Sequence, residues 1–247
     1  MKRRIVVPLG AILMLLAACG APEPGVGGGQ ARRQDDGWTA APRITAVERQ
    51  GTGGLVVRGA ASPGARVVLR GGQDAVFAAG ADATGRFELN IGRLTAPVVL
   101  TPEVQIGQYP APGPERLLLV EQAEAPLAAL LVEGQASRRL SPAPALDVVD
   151  GDGAGLVASG RGRPGARISV SADGSAPVTV GVSADGRWVA ALPSTADRAT
   201  RITVGDIGFD YPGPGSAGDR IERAGSGWRV AQVLSPSARL TSWFPDM

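Results

Sequence analysis

The sequence predicts an all-β protein in which two tandem β-sandwich repeats follow an export signal and a flexible tether. Three observations predict this architecture. One set of short motifs occurs twice, at an offset of 101 residues from Pro63 to Pro164. Within each copy, apolar and polar side chains alternate, as they do in half-buried strands. Clusters of Gly, Pro, Asp and Ser separate the alternating runs, as turns require.

The amino terminus has the pattern of an export signal. A basic stretch from Lys2 to Arg4 precedes an apolar run from Ile5 to Ala18. A basic region, a short apolar region and small residues before a cleavage site define such signals. The apolar run is shorter than the roughly 20 residues that a helix needs to cross the bilayer core. We therefore assign residues 1–18 to a cleaved signal peptide and not to a transmembrane anchor.

The end of the apolar run distinguishes two kinds of signal. Leu16-Ala17-Ala18-Cys19 resembles the bacterial lipobox, and Cys19 is the only cysteine in the chain. The resemblance implies a bacterial lipoprotein, in which the cysteine thiol receives a diacylglyceryl group and becomes the first residue after cleavage. Several acyl chains together anchor such a protein stably to a membrane. The alternative is an ordinary secretory signal that happens to contain a cysteine. Gly20, where an Asp would favour inner-membrane retention, indicates the outer membrane of the cell envelope.

A flexible linker is expected between the lipid anchor and the folded part. After Cys19, the segment from Gly20 to Ala41 contains Pro22, Pro24 and a run of three glycines, with few apolar side chains. A chain of this kind spans about 25 Å in root-mean-square terms over some twenty residues. We therefore assign residues 19–41 to the lipidated cysteine and a disordered linker, residues 42–141 to the first repeat and residues 142–247 to the second.

The two repeats keep register over several anchors. At the same offset, Gly54-Leu55-Val56-Val57-Arg58-Gly59 aligns with Gly155-Leu156-Val157-Ala158-Ser159-Gly160, Pro63-Gly64-Ala65-Arg66-Val67 with Pro164-Gly165-Ala166-Arg167-Ile168, and Gly85-Arg86-Phe87 with Gly186-Arg187-Trp188. One residue later, Tyr109-Pro110-Ala111-Pro112-Gly113 recurs as Tyr211-Pro212-Gly213-Pro214-Gly215. These anchors indicate a duplicated unit of about 100 residues, which is a common domain size.

The alternation predicts which side chains face the cores. It places the following inward: Val67, Leu69, Phe87, Leu89, Ile168, Val170, Trp188 and Ala190. It places the following outward: Arg66, Val68, Arg86, Glu88, Arg167, Ser169, Arg187 and Val189. Ala184-Asp185-Gly186 is typical of a tight turn. Further strands are expected over 98–106, 115–120, 127–132, 202–204, 221–223 and 228–234. The segment 127–132 also has helical propensity, but its alternating counterpart in the second repeat favours a strand.

The turns and strands together resemble a known family. Gly160-Arg161-Gly162-Arg163-Pro164-Gly165-Ala166-Arg167-Ile168 and Ala184-Asp185-Gly186-Arg187-Trp188 are similar to motifs of bacterial immunoglobulin-like domains. The first repeat departs from the pattern, with Ala61 where the second has Gly162 and Thr84 where it has Asp185. The resemblance covers about half of each repeat and implies two immunoglobulin-like sandwiches that act as spacers or adhesive elements.

Composition excludes several kinds of catalytic site. The chain contains no histidine, and its only lysine, Lys2, lies in the signal peptide. Serine–histidine triads, histidine metal ligands, Schiff bases and Walker-type phosphate loops are therefore absent from the expected mature protein. Removal of the signal peptide changes the net charge from +2 to −1, so no nucleic-acid partner is expected. We predict no enzyme activity, no catalytic residue and no cofactor.

The best metal candidate is the acidic segment Asp147–Asp152. Its three carboxylates could ligate Ca²⁺. An EF-hand loop opening at Asp150 would need an acidic residue or Asn at Ala154 and a Glu at Arg161, so that motif is not present. We therefore expect a solvated hairpin turn and assign no metal site.

Three hypotheses for function remain. The first is a non-catalytic, lipid-anchored envelope protein whose sandwiches contact another envelope protein or act as a spacer. The second is a module that binds peptidoglycan or a surface polysaccharide through exposed aromatic rings, with the pool Trp38, Tyr109, Tyr211, Trp228 and Trp243. Partial burial of Trp243 and an edge-capping role for Tyr109 and Tyr211 are the structural alternatives. The third is an enzyme that uses two carboxylates, although the sequence marks no such pair.

Overall fold

The computed structural model describes residues 41–51, 53–72, 75–106, 109–123, 125–173, 175–192, 198–216, 218–235 and 238–247. The predicted signal peptide, Cys19 and nearly all of the predicted linker lie outside these residues. Twenty β-strands form the described part of the chain. Every strand pairing within it is antiparallel. The prediction of an all-β chain is confirmed.

Ten strands form each half of the described chain. Those of the first half are β1 Arg43–Arg49, β2 Leu55–Ala60, β3 Arg66–Gly71, β4 Val76–Gly80, β5 Arg86–Gly92, β6 Val98–Ile106, β7 Tyr109–Pro112, β8 Glu115–Val120, β9 Leu127–Val132 and β10 Arg138–Arg139. Those of the second half are β11 Leu146–Gly151, β12 Leu156–Arg161, β13 Arg167–Ala172, β14 Val178–Gly181, β15 Arg187–Leu192, β16 Thr200–Val204, β17 Ile207–Tyr211, β18 Arg220–Arg223, β19 Gly227–Ser235 and β20 Ala238–Pro245. All six further strands expected from the sequence are present, within two residues of the expected bounds.

These strands form four sheets, two in each half. Sheet 1 has the order β1-β2-β5, and sheet 2 has the order β10-β9-β8-β6-β3-β4, with β7 paired to β6. Sheet 3 has the order β15-β12-β11-β20-β19-β18, and sheet 4 has the order β14-β13-β16-β17. Each half is thus a pair of sheets, as expected for sandwich repeats.

Each half has its own apolar core. Between sheets 1 and 2 lie Ile44, Leu55, Val57, Val67, Leu69, Phe87, Leu89, Leu100, Leu117, Leu119 and Leu130. Between sheets 3 and 4 lie Leu146, Val149, Leu156, Val170, Trp188, Ala190, Ile202, Val204, Tyr211 and Trp243. The inward positions predicted from the alternation, among them Phe87 and Trp188, are confirmed. Large buried side chains of this kind supply most of the stabilisation of such cores.

A third apolar core joins the two halves. Its buried members are Leu118, Val120, Leu127, Ala129 and Leu131 from sheet 2, with Val148, Val230 and Phe244 from sheet 3. The sheets therefore stack in the order 1, 2, 3, 4, with an apolar layer between each neighbouring pair. Strands β8 and β9 are covered on both faces, which explains why residues 127–132 read as a continuous apolar run. The strand prediction for this segment is confirmed over its helical alternative.

The two halves differ in where their last strands pair. In the first half β8 pairs with β6, so that β8, β9 and β10 extend sheet 2. In the second half β20 pairs with β11, so that β18, β19 and β20 extend the other sheet of the pair. Both extensions lie beside the third core. The duplicated pattern is therefore kept in the first seven strands of each half and changed in the last three.

A repeated glycine lies under the repeated aromatic ring. Gly160 of β12 pairs with Trp188 of β15, and Gly59 of β2 pairs with Phe87 of β5. A Cβ at Gly160 would collide with the Ala145 carbonyl oxygen and lie 2.6 Å from Cζ2 of Trp188. A Cβ at Gly59 would collide in the same way with Phe87. The ring thus packs directly on the neighbouring backbone, which requires glycine at this position.

The predicted turn at Ala184-Asp185-Gly186 is confirmed. Gly186 has a φ of 77°, which favours glycine, and its N–H donates to the Ser183 carbonyl at 3.0 Å. The turn leads from β14 in sheet 4 to β15 in sheet 3. It therefore crosses between the two sheets of the second half and does not close a hairpin.

One outward position is buried. Val68 lies on the face of β3 opposite to Val67 and Leu69, as predicted, yet only 4% of it is exposed. Its cross-strand neighbour is Glu103, which accepts a hydrogen bond from Arg70 Nε at 3.2 Å. The expectation of an exposed Val68 was wrong, because an ion pair occupies the same face beside it.

Candidate functional site

A cleft of about 820 Å³ lies between residues of the first half and strands β18 and β19 of sheet 3. One wall comes from the first half: residues 93–97 between β5 and β6, with Phe77, Ile91, Val98 and Val99. The other wall comes from the start of β18 and the facing part of β19, residues 219–221 and 230–232. A volume of this size is typical of ligand sites. The cleft is therefore the leading candidate site in the described part of the chain.

One hydrogen bond crosses the cleft between the two halves. Arg116 Nη2, on β8, donates to Gln232 Oε1, on β19, at 2.6 Å. Gln232 is only 6% exposed, and its Nε2 has no hydrogen-bond partner among the described residues. A buried amide without a partner is costly, by about 1–3 kcal/mol. Arg116 holds the Oε1 of this amide, and the unpartnered Nε2 lies buried in the wall of the cleft.

Four guanidinium groups and two carboxylates line the cleft and the pocket that adjoins it. Arg93, Arg116 and Arg220 line the cleft together with Asp219. The Asp219 carboxylate already accepts a hydrogen bond from the Val233 N–H at 2.7 Å. A smaller adjoining pocket is lined by Arg70, Arg116 and Glu103 among others. Arg93 and Arg220 also pair with Glu121 and Glu222. Among the described residues Arg116 is therefore the cleft arginine without a carboxylate partner, and its position favours a ligand group with negative charge.

A strand edge borders the same cleft. Strand β18 is the last strand of sheet 3 and, within the described chain, pairs with β19 alone. Such an edge carries backbone N–H and C=O groups that can pair with another strand. Arg220 and Arg223 of β18 are exposed, whereas Ile221 packs against the third core. The cleft thus offers both backbone and side-chain hydrogen-bonding groups.

The acidic segment Asp147–Asp152 is not the solvated hairpin turn that the sequence predicted. Asp147 is buried on β11, at the bulge between Leu146 and Val148. Arg161 Nε donates to its Oδ2 at 3.1 Å and lies equally close to Oδ1, and Arg187 Nη1 lies 3.3 Å from Oδ2. Burial raises the pKa of Asp147, and the nearby guanidinium groups oppose that shift. This carboxylate serves as an internal ion-pair partner.

Asp150 is also buried on β11 and faces a different set of partners. Its Oδ1 accepts from the Ser242 hydroxyl at 2.5 Å, and its Oδ2 accepts from the Ser137 N–H at 2.6 Å. Burial raises the pKa of Asp150 above its usual range. Only Asp152 lies in the turn, where it accepts from the N–H groups of Ala154 and Gly155. The described residues contain no cluster of three potential metal-ligating side chains.

A buried arginine that the sequence did not single out ties β10 to sheet 3. Arg139 Nη1 donates to the Pro245 carbonyl at 2.6 Å. The Arg139 carbonyl in turn accepts from Arg161 Nη2 at 2.8 Å. Burial lowers the pKa of Arg139, although Asp147 partly offsets the effect. These bonds join the two halves at the side of the stack away from the cleft.

The aromatic residues proposed as a glycan platform are dispersed. Tyr211 and Trp243 are buried in the core between sheets 3 and 4, with ring centroids 6.0 Å apart in an edge-to-face arrangement. Trp228 is half-buried beneath Arg223, whose Cζ lies 5.3 Å from the ring centroid. Tyr109 is 81% exposed on the short strand β7, and Trp38 lies outside the described residues. The expectation that Tyr109 and Tyr211 play equivalent roles was wrong, because the ring of Tyr211 turns into the core.

No catalytic, cofactor or metal residue was assigned from the sequence, and the one assigned residue, Cys19, lies outside the described part of the chain. No helix within that part is long and apolar enough to cross a membrane. No protein-family model matches the chain, and no curated protein matches it either.

Proposed function

We propose that this chain is a lipid-anchored, non-catalytic protein of the bacterial cell envelope whose folded part binds a partner protein. The cleft beside β18 carries the proposal of partner binding. It combines a strand edge, a buried amide without a partner for its Nε2 and an apolar floor in one place. Edge strands next to a groove are a recurrent means of recognising an extended peptide.

The absence of catalysis in this proposal is supported by the residues themselves. The chain has no histidine, and its single cysteine and single lysine lie at the amino terminus. The two most buried carboxylates, Asp147 and Asp150, are held by arginine and serine partners within the fold. Acid–base chemistry needs such groups to face a substrate, whereas these two face structural partners.

The stacked arrangement favours a single interaction body over a string of flexible spacers. Leu118, Leu131 and Phe244 are among the buried side chains that join the halves. A buried apolar contact of this kind resists bending between domains. The cleft walls, one from each half, are thereby held at a constant separation.

The membrane anchor in this proposal is the lipid on Cys19, and Gly20 favours the outer membrane. Metabolic labelling with a radioactive fatty acid tests it. We expect label on the wild-type chain and none on Cys19→Ser, which should also leave the membrane fraction. Retention of the unlabelled variant in membranes would contradict a lipid anchor.

The alternative partner is a peptidoglycan or surface polysaccharide. The exposed ring of Tyr109 supports it, since stacking of a sugar on an aromatic face needs such exposure. In-cell crosslinking followed by affinity capture separates the two partners. A reproducible protein adduct supports the first proposal, and enrichment of glycan fragments alone would replace it with the second.

A further inference from the structure

We propose that the cleft binds an acidic peptide segment in extended conformation, with a carboxylate of that peptide held by Arg116 and Gln232. The inference rests on the proposed function and gives the chemistry of the partner. The peptide main chain lies along the free edge of β18, and its apolar side chains contact the floor formed by Ile91, Leu94 and Val98.

The preference for an acidic ligand follows from the pairing of charges around the cleft. The carboxylate of Glu103 pairs with Arg70, that of Glu121 with Arg93, and that of Glu222 with Arg229 and Arg220. Arg116, by contrast, donates to a neutral amide. Among the described residues its guanidinium group has no carboxylate within ion-pair distance, so a carboxylate in the cleft would supply one.

The buried amide of Gln232 is an independent observation pointing to the same ligand. Its Oε1 accepts a hydrogen bond from Arg116, which identifies the other atom of the amide as Nε2, a donor. This Nε2 has no hydrogen-bond partner among the described residues. Arg116 and Gln232 both line the cleft, so a guanidinium group without a carboxylate partner and an amide without a partner for its Nε2 lie side by side in its wall. A carboxylate that pairs with Arg116 has a second acceptor oxygen, which the Gln232 amide reaches by a side-chain rotation.

The form of the cleft selects an extended peptide over a small free anion. The cleft continues from residues 93–97 to the adjoining pocket around Arg70 and Glu103, and Arg116 and Val99 line both. Strand β18 runs beside it as the outer strand of sheet 3. An added strand pairs its backbone with such an edge and points alternate side chains to one side.

Fluorescence anisotropy with a defined probe tests the proposal on the full chain, extracted from membranes in mild detergent. The probe is a fluorescein-labelled heptapeptide of alternating Glu and Val. Its comparators are the same peptide with Gln, or with Lys, at every Glu position. We expect the Glu peptide to bind at least tenfold more tightly than either comparator in low salt, with the difference shrinking as salt rises. Equal affinities, or no saturable binding, would overturn the proposal.

Three variants locate the binding within the molecule. Arg116→Gln and Gln232→Glu should each weaken binding of the Glu peptide at least tenfold, while Arg66→Gln should change it less than twofold. Arg66 is exposed on β3 and lies outside the residues that line the cleft, so it controls for loss of one positive charge. Arg93→Gln, at a side chain 70% exposed, provides a further test if the Arg116 variant folds poorly. Equal loss in the Arg66 variant would overturn the site.

Two outcomes separate this inference from the proposed function. If the wild-type chain crosslinks to a protein partner in cells but ignores the Glu peptide, the cleft proposal fails and the proposed function stands. Asp35 and Asp36 lie near the end of the chain's own predicted linker. If the Glu peptide binds only after both are replaced, by Asp35→Asn and Asp36→Asn, the linker itself would be the segment that occupies the cleft. That result would overturn a partner protein as the occupant.

Discussion

The ring of Trp188 packs on the backbone of Gly160, so that a Cβ at Gly160 would lie 2.6 Å from ring atom Cζ2. Gly59 and Phe87 repeat the arrangement in the first half. The pairing explains two of the motifs that reveal the duplication. In both halves the glycine and the aromatic residue lie on different strands, and the packed ring leaves no room for a Cβ on the strand beneath it.

Gly160→Ala should lower the free energy of unfolding by about 2–3 kcal/mol, because the added methyl group forces the ring or the facing Ala145 carbonyl to move. Urea denaturation followed by tryptophan fluorescence measures the change. Gly181→Ala is the matched control, since a Cβ there meets nothing within 4 Å. A similar loss in both variants would mean that the effect comes from the β-strand position and not from the ring.

Removal of the ring itself should be more damaging. Trp188→Ala should destabilise the chain by about 3–5 kcal/mol, the usual loss for a large aromatic side chain in a core. Val189→Ala, at a side chain 53% exposed on the opposite face of β15, should change stability by less than about 0.5 kcal/mol. Equal midpoints in urea for the two variants would contradict the assigned faces of β15.

Local periodicity predicted the strands well, because the alternation of apolar and polar side chains within one strand shows which of its two faces is buried. Residues 127–132 show where this reasoning lost information: the run has no polar face, since sheet 3 covers the face that usually meets water. Alternation in one strand cannot show which sheet it joins, so the different pairing of β8 and β20 was not predicted.

Polar residues of the candidate site were missed for a related reason. Gln232 stands in the alternating strand β19, and nothing nearby in sequence marks Arg116, its partner on β8, as its neighbour. The opposite error affected Asp147 and Asp150, whose acidic composition predicted a solvated turn. Their partners Arg161, Arg187 and Ser242 come from other strands of sheet 3, and only the folded sheet brings them together.

The third core should make the two halves unfold together. We expect a single calorimetric transition for the wild-type chain. Phe244→Ala removes the fully buried aromatic side chain of this core, which also receives the partly buried Trp228, and should lower the free energy of unfolding by about 3–5 kcal/mol. It should also separate the melting of the two halves. The comparison variant is Ile207→Ala, whose side chain is 51% exposed on β17 and which should preserve the single transition. Two transitions in the wild-type chain would contradict coupling through this core.

Calcium should leave the melting temperature of the chain unchanged. Asp147 is held by two arginines and Asp150 by two serines, so neither carboxylate is free to ligate an ion with Asp152. Scanning calorimetry in millimolar CaCl₂ and in EDTA measures the difference. A rise of several degrees in CaCl₂ would show that the segment rearranges into a calcium site, because a ligand that binds only the folded state stabilises it.

Asp150 and Asp152 should make opposite contributions to the pH dependence of folding stability. Burial raises the pKa of Asp150 in the folded state, so the folded chain holds this proton more tightly than the unfolded chain does. Stability from this group is therefore present below its unfolded pKa, about 3.9, and is lost as pH rises towards the folded value. Asparagine does not titrate, so Asp150→Asn lacks this pH-dependent loss of stability. The wild-type chain should therefore become less stable relative to the variant as pH rises above about 4.

Asp152→Asn is the control with the opposite sign. Hydrogen bonds from the N–H groups of Ala154 and Gly155 lower the pKa of Asp152, so its stabilisation is present above the unfolded pKa and is lost as pH falls through the folded value. The wild-type chain should therefore gain stability relative to Asp152→Asn as pH rises. Urea midpoints of the three chains between pH 3 and pH 7 measure both trends. If the two variants follow the same trend, the buried and exposed environments assigned to these carboxylates are wrong.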